Sequence, residues 1–288
     1  MHVFDTPTAM HAWSDAERVA GRRVALVPTM GALHDGHMAL VREARAHADV
    51  VVVSIFVNPL QFNRRDDFDA YPRPIDDDLE ICRTHGIDAV YAPTAQAMYP
   101  VGFETHVEPG RLAEVLEGAQ RPGHFRGVTT VVAKLFGAVR PHVAVFGQKD
   151  FQQLAIIRRM TVDLDMGIEI VGMPTVRESD GLALSSRNRR LSPAQRAAAL
   201  CVPRSLDAVA EALADGEHDV ATLVGCGRAV VDAEPLARFE HLEIVDAATL
   251  QPLTEVDEDA LAVTAVWFGE VRLIDNLRLS AARPAAGR

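Results

Sequence analysis

Two histidines separated by an aspartate and a glycine, His34-Asp35-Gly36-His37, follow directly on Pro28-Thr29-Met30-Gly31-Ala32-Leu33. The H-x-G-H pattern lies between a strand-like run and a helix-like run, and that setting suits phosphate chemistry. Gly31 and Gly36 permit tight turns and close approach of a ligand. Amides at a helix start favour anions, and imidazoles placed there can donate to oxygens that gain charge. A lone histidine at such a junction reads as surface decoration, but a pair flanking a glycine favours phosphate binding. The i, i+3 spacing also admits a metal pair, although no cysteine or Glu-x-x-His pattern supports a closed zinc site.

Four further segments place polar groups where a strand ends or a loop turns. In Gly147-Gln148-Lys149-Asp150-Phe151-Gln152-Gln153 the turn follows a strand, where open α/β sheets bind ligands. Lys149 offers a point charge to phosphate. Asp150 can cap the next helix or orient a ligand, and Gln153 carries both donor and acceptor for a polar substrate. A solvated helix start explains this segment equally well. In the run from Val176 to Asn188, Ser185-Ser186-Arg187 can bind phosphate through hydroxyls and a fixed cation. The same run also suits a polar interdomain loop, and sites at domain interfaces accommodate both readings. Gln61, in Asn58-Pro59-Leu60-Gln61-Phe62, is a candidate substrate amide. Arg121-Pro122-Gly123-His124-Phe125-Arg126-Gly127 crowds Gly, His and Arg ahead of a helix; taken singly, it and the Gln61 segment read as structural. Asp76-Asp77-Asp78 suits Mg²⁺, or simply the first turn of a helix.

The elements that must position these groups are legible as alternating patterns. Residues 23–30, 50–57, 89–92, 143–146 and 168–173 read as strands, with 50–57 almost continuously apolar as a doubly covered strand requires. Helices are predicted over 37–48, 131–137, 151–160 and 75–85, the last with Ile75, Leu79 and Cys82 on one face. Strand–helix alternation implies parallel pairing through right-handed crossovers. The fold class expected is α/β, a Rossmann-like parallel sheet with helices on both faces, followed by a smaller C-terminal α+β domain. After Asn188 the texture changes: Ser192-Pro193 opens an alanine-rich helix that Pro203 should break or kink, and a helix over 220–232 follows. Strands over 239–245, 260–268 and 271–277 come last, and 281–288 reads as a loose tail. The expected division is residues 1–178 and 179–288.

The net charge of −11 argues against a nucleic-acid or anionic-membrane surface. Any phosphate pocket must then be built from a few placed residues. No run approaches a membrane span and the N-terminus lacks an apolar signal core. The three cysteines, Cys82, Cys201 and Cys226, form no C-x-x-C pair, which fits a reduced, cytoplasmic protein.

Together the segments resemble the pantoate–β-alanine ligase (pantothenate synthetase) family, within the nucleotidylyl-transferase superfamily whose H-x-G-H motif binds ATP phosphates. The ordered match runs from Pro28 to Asn188. The resemblance implies an ATP site of Met30, Gly31, Ala32, Leu33, His34, Asp35, Gly36, His37, Gly147, Gln148, Lys149, Asp150, Val176, Leu184, Ser185, Ser186 and Arg187. His34, His37 and Lys149 would be catalytic, with His37 as proton donor; Gln61 and Gln153 would hold pantoate, and Gln61 would also meet β-alanine. It further implies Mg²⁺ with ATP, no protein ligand for the ion being identified, and a homodimer. The reaction implied is adenylation of pantoate by ATP, then attack by the amine of β-alanine. Another nucleotidylyl transferase, an RNA-binding relative of tRNA synthetases and a non-catalytic ATP-binding module are the competing readings; the acidic balance counts against RNA.

Overall fold

Six apolar runs form one parallel sheet: β1 (His2–Phe4), β2 (Val24–Thr29), β3 (Val50–Ile55), β4 (Ala89–Tyr91), β5 (Val143–Gly147) and β6 (Glu169–Met173). This computed structural model describes residues 1–257 and 259–280, so the tail read over 281–288 lies outside the described residues. The strand order is β1-β4-β3-β2-β5-β6. Chain order therefore reverses between β2 and β5, the switch point at which open α/β sheets bind ligands.

Residues alternate across the sheet, and each face has its own core. Val24, Leu26, Val50, Val52, Ala144 and Phe146 point to one face, where they pack with Met10, Val128, Leu135 and Ile157. These come from the helices Pro7–Val19, His124–Val139 and Phe151–Asp163. Ala25, Val27, Val51, Val53, Val143 and Val145 point to the other face and meet Met38, Val41, Ala44 and Cys82, from the helices Asp35–His47 and Ile75–Thr84. Two covered faces explain why β2 and β3 carry no polar alternation.

Some elements depart from the sequence reading. The strand β1 and the helix Pro7–Val19 were not foreseen; at three residues β1 is too short to show a period. The helix around 131–137 begins at His124 and ends at Val139, because its apolar face extends to Phe125 and Val128. In Ile75–Thr84 the buried positions are Asp78 and Cys82, while Ile75 is exposed. A buried carboxylate thus takes a place that hydrophobic periodicity assigned to an apolar residue. Pro203 does not break a helix. The interruption falls between Pro193–Ala198 and Cys201–Ala214, and Pro203 sits in the first turn of the second, where a missing N–H is tolerated.

The chain divides into two compact units, the first Met1–Pro174 and the second beginning at Thr175. In the second, Ser192 caps Pro193–Ala198 through a capping box with Gln195. The helices Cys201–Ala214 and Val220–Asp232 pack on an antiparallel sheet of β7 (Arg238–Asp246), β8 (Asp259–Phe268) and β9 (Val271–Ser280), in the order β7-β8-β9.

Candidate active site

The His34–His37 turn leaves the carboxyl end of β2, and the Gly147–Asp150 turn leaves that of β5, so both flank the switch of the sheet. Thr29 closes β2 by donating its hydroxyl to the Ser54 carbonyl at 2.7 Å and accepting from the Gly31 amide at 3.1 Å. Gly31 then turns with φ +82°, and Ala32 follows at φ +51°. A side chain at Gly31 would come within 2.8 Å of Asp78 Oδ2, so glycine is required both for conformation and for space.

His34 occupies the N-cap of Asp35–His47, and the two imidazoles are tied to the backbone reciprocally. Gly36 N–H donates to His34 Nδ1 at 3.1 Å, and His34 N–H donates to His37 Nδ1 at 3.3 Å. The ring centroids lie 4.1 Å apart. With Nδ1 accepting, each neutral ring carries its proton on Nε2. The Gly36 and His34 amides are spent on the rings, and the Ala32 and Leu33 amides on Asp78. The rings relay the amide polarity to Nε2–H, a donor suited to a phosphate oxygen.

Gln61 reaches the same turn, donating from Nε2 to Met30 Sδ at 3.3 Å. Its attitude is fixed by residues that the sequence reading took as structural or overlooked. Buried Asn58 donates to Gln61 Oε1 at 2.9 Å and to the Gly127 carbonyl at 3.1 Å, and accepts from the Tyr99 hydroxyl at 2.8 Å. Burial pushes the Tyr99 phenol above its ordinary value, keeping it a donor. The Gln61 carbonyl accepts from Arg121 Nη2 at 3.1 Å and His124 Nδ1 at 2.8 Å. Burial first, and the Arg121 charge second, push the His124 imidazole down to about 4, so it is neutral near pH 7. Gly127 lets its helix pass so close that a Cβ there would lie 2.3 Å from the Leu60 carbonyl oxygen. The signal for this network was present in the order Asn58-Pro59, where a polar residue caps a turn that proline begins.

The adjacent glutamines at the start of Phe151–Asp163 part company. Gln152 is buried and bridges the Leu112 and Val115 carbonyls, each at 2.8 Å, and the Glu117 amide at 3.1 Å. Gln153 is half-buried and its side chain makes no hydrogen bond to the described residues, so its amide is available to a ligand. Gln148 donates to the Gly172 carbonyl at 3.2 Å, securing its turn to β6. Lys149 is half-buried and Asp150 exposed. Asp150 sits at the N-cap position without a side-chain cap bond, so of its two expected roles the capping one is not taken.

In the second unit, the Val176–Asn188 run closes on itself. Leu184 N–H donates to the Val176 carbonyl at 2.9 Å, and Glu178 N–H to that of Leu182 at 2.8 Å, with Gly181 at φ +94° making the turn. Ser185 caps the short 3-10 helix Ser186–Arg190 by accepting from Arg187 N–H. Asn188 Nδ2 ties that turn to the Ala183 carbonyl and to Glu178. Arg177 forms a two-pronged pair with buried Asp275, at 2.6 and 3.0 Å. Val176, Leu184, Ser185, Ser186 and Arg187 are all half-buried.

A metal cage does not fit the residues present. Among the described residues no group of three or more His, Cys, Asp or Glu could hold an ion. Asp78, the buried member of the acidic triplet, accepts two backbone amides, while Asp76 and Asp77 are exposed at a helix start.

Comparison with known proteins gives the family of the chain. The profile of the family described as pantoate-beta-alanine ligase matches residues 2–278. The chain belongs to the pantoate–β-alanine ligase family. A pantothenate synthetase of Geobacter sulfurreducens is 51% identical over 276 residues, 96% of this chain and 98% of the relative. The crystal structure of pantothenate synthetase from Thermus thermophilus superposes with a TM-score of 0.91 at 46% identity, covering 96% of this chain and 99% of that one. The pantoate-beta-alanine ligase of Francisella tularensis, described as complexed with beta-gamma ATP and beta-alanine, superposes at a TM-score of 0.80 and 32% identity, covering 96% and 97% of the two chains.

Proposed function

We propose that the chain catalyses ATP-dependent condensation of (R)-pantoate with β-alanine, giving pantothenate, AMP and pyrophosphate through a pantoyl-adenylate. Family membership along nearly the whole chain carries this reading. The paired Nε2 donors beside the sheet's switch point supply its physical basis.

In the first step a pantoate carboxylate oxygen attacks the α-phosphorus, and the bond to the bridging oxygen of pyrophosphate breaks. The carboxylate is already ionised, so this step needs positioning and charge neutralisation rather than a strong base. His34 and His37 donate to phosphate oxygens from Nε2, and Lys149 adds a positive charge. Met30 to His37, Gly147 to Asp150 and Val176 line the nucleotide. Leu184, Ser185, Ser186 and Arg187 belong to the part beyond residue 178 that closes over ATP in this reading. Gln61 and Gln153 hold pantoate, with Gln61 also meeting β-alanine. In the second step the neutral amine of β-alanine attacks the acyl carbon, the bond from that carbon to the AMP phosphate oxygen breaks, and the proton shed by the nitrogen passes to an acceptor in the site or to solvent.

Mg²⁺ would come with ATP and supply charge neutralisation at its phosphates. No step above is routed through it. The same reading makes the enzyme a cytoplasmic homodimer. No helix among the described residues is long and apolar enough to cross a membrane, and sedimentation at micromolar concentration tests the dimer.

The deciding experiment is product analysis with ATP, Mg²⁺, pantoate and β-alanine, leaving out each in turn. AMP and pantothenate forming together, only in the complete mixture, is the expected result. Pyrophosphate without pantothenate would leave adenylation standing and remove β-alanine as acceptor; no turnover by folded protein would overturn the reading.

A further inference from the structure

The acidic triplet contains one member that neither a metal role nor a helix dipole explains. Asp78 is 1% exposed, and its two carboxylate oxygens accept from successive amides of the histidine turn. Oδ2 takes the Ala32 N–H at 2.8 Å and Oδ1 takes the Leu33 N–H at 2.7 Å. Gly31 and Ala32 both have positive φ. That conformation is unfavourable for an L-residue with a side chain, so Ala32 requires something to maintain it. Successive amides in such a turn form a concavity that attracts anions, and here the anion is the protein's own carboxylate. Its Oδ2 also lies 2.8 Å from where a Cβ on Gly31 would be. The turn runs straight into His34, whose ring and amide are both committed to the reciprocal bonds that direct the two Nε2 atoms.

We propose that Asp78 is a positioning residue for the ATP reaction: by occupying the amide concavity of the turn it keeps phosphate out of that concavity and sets the orientation of His34 and His37. The assignment rests on the ATP-dependent reading above. Asp78 touches neither substrate nor reacting atoms; it acts through the turn.

The test is Asp78→Asn, in which the side-chain NH₂ group faces a backbone N–H instead of accepting it. In steady-state assays of the full chain, kcat for AMP formation should fall about thirtyfold and KM for ATP should rise. Pantoate affinity by calorimetry should stay within about twofold. Adding Ala32→Gly, which frees residue 32 to hold the left-handed conformation without a clamp, should recover about fivefold of the lost rate. The ¹⁵N shifts of His34 and His37 in ligand-free protein should show Nε2–H rings in the parent and mixed tautomers in Asp78→Asn. Should Asp78→Asn not fold, Asp78→Ser, a smaller neutral acceptor, is read by the same measurements. Unchanged kinetics and unchanged nitrogen shifts in a folded variant would overturn the proposal, even if the melting temperature fell. Failure of the parent protein to turn over would instead remove the ATP reading, while the nitrogen shifts would still decide whether Asp78 orients the rings.

Discussion

The turn after β2 and the turn after β5 border the same reversal of strand order, yet the first commits five backbone amides to side chains, while in the second Asp150 leaves its cap position unused. Between Thr29 and His37 the amides of Gly31, Ala32, Leu33, His34 and Gly36 each donate to a side chain. In the Gly147–Asp150 turn, Gln148 secures the strand side, and Asp150 makes no cap bond. The difference teaches a division of labour. In the proposed reaction the histidines are donors whose direction the turn sets, which suits groups that must meet developing charge. Lys149, in the same proposal, brings a point charge to the phosphates on a long stem.

That contrast can be broken most sharply at Lys149. Lys149→Ala should slow single-turnover adenylate formation by roughly 10³-fold, as loss of one strong transition-state donor does, while the melting temperature stays within about 2 °C. An unchanged rate would take Lys149 out of the reaction. The tightly bonded turn should respond in the opposite sense. Gly31→Ala, which places a Cβ 2.8 Å from Asp78 Oδ2 at φ +82°, should cost about 3 kcal/mol of stability by chemical denaturation. A loss under 1 kcal/mol would mean that the turn relaxes easily.

The adjacent glutamines sharpen the same contrast on one helix. Gln152→Ala strands three backbone partners and should cost about 2 kcal/mol of stability. Gln153→Ala should leave stability within about 0.5 kcal/mol and weaken pantoate more than ATP in calorimetry. Equal loss for both ligands would argue against the pantoate assignment.

The last effect expected is on pH. His124 is buried neutral and pushed down to about 4 from 6.5. Between those values the unfolded chain binds the proton that the folded chain refuses, so stability rises with pH across this window and is lost as pH falls. The loss from this group should be roughly 1 to 2 kcal/mol between pH 7 and pH 5. His124→Gln should flatten that portion of the profile in thermal melts; an unchanged profile would show that another group dominates.

How far the site was legible depended on how far apart its partners lie in the chain. The His34–His37 motif and the Lys149 turn were visible because each lies between a strand pattern and a helix pattern within a few residues. The segment Gly123-His124-Phe125-Arg126-Gly127 reads as structural when taken singly, but nothing local says what it supports: its His124 and Gly127 seat Gln61. Nothing local distinguishes Gln152 from Gln153; the helix buries one and half-exposes the next.

By itself the sequence determined the doubly wound alternation, the three C-terminal strands and the segments proposed to carry the chemistry. Those follow from short-range periodicity and turn residues, which are written locally. Tertiary structure alone decided that Asp78 closes on amides 46 and 45 positions away, and that the His34 and Gly36 amides donate to the imidazoles. It also decided that Asn58, Tyr99 and His124 orient Gln61. The physical reason is that a buried carboxylate or amide must be satisfied by whatever packing brings beside it, and packing is a property of the whole fold.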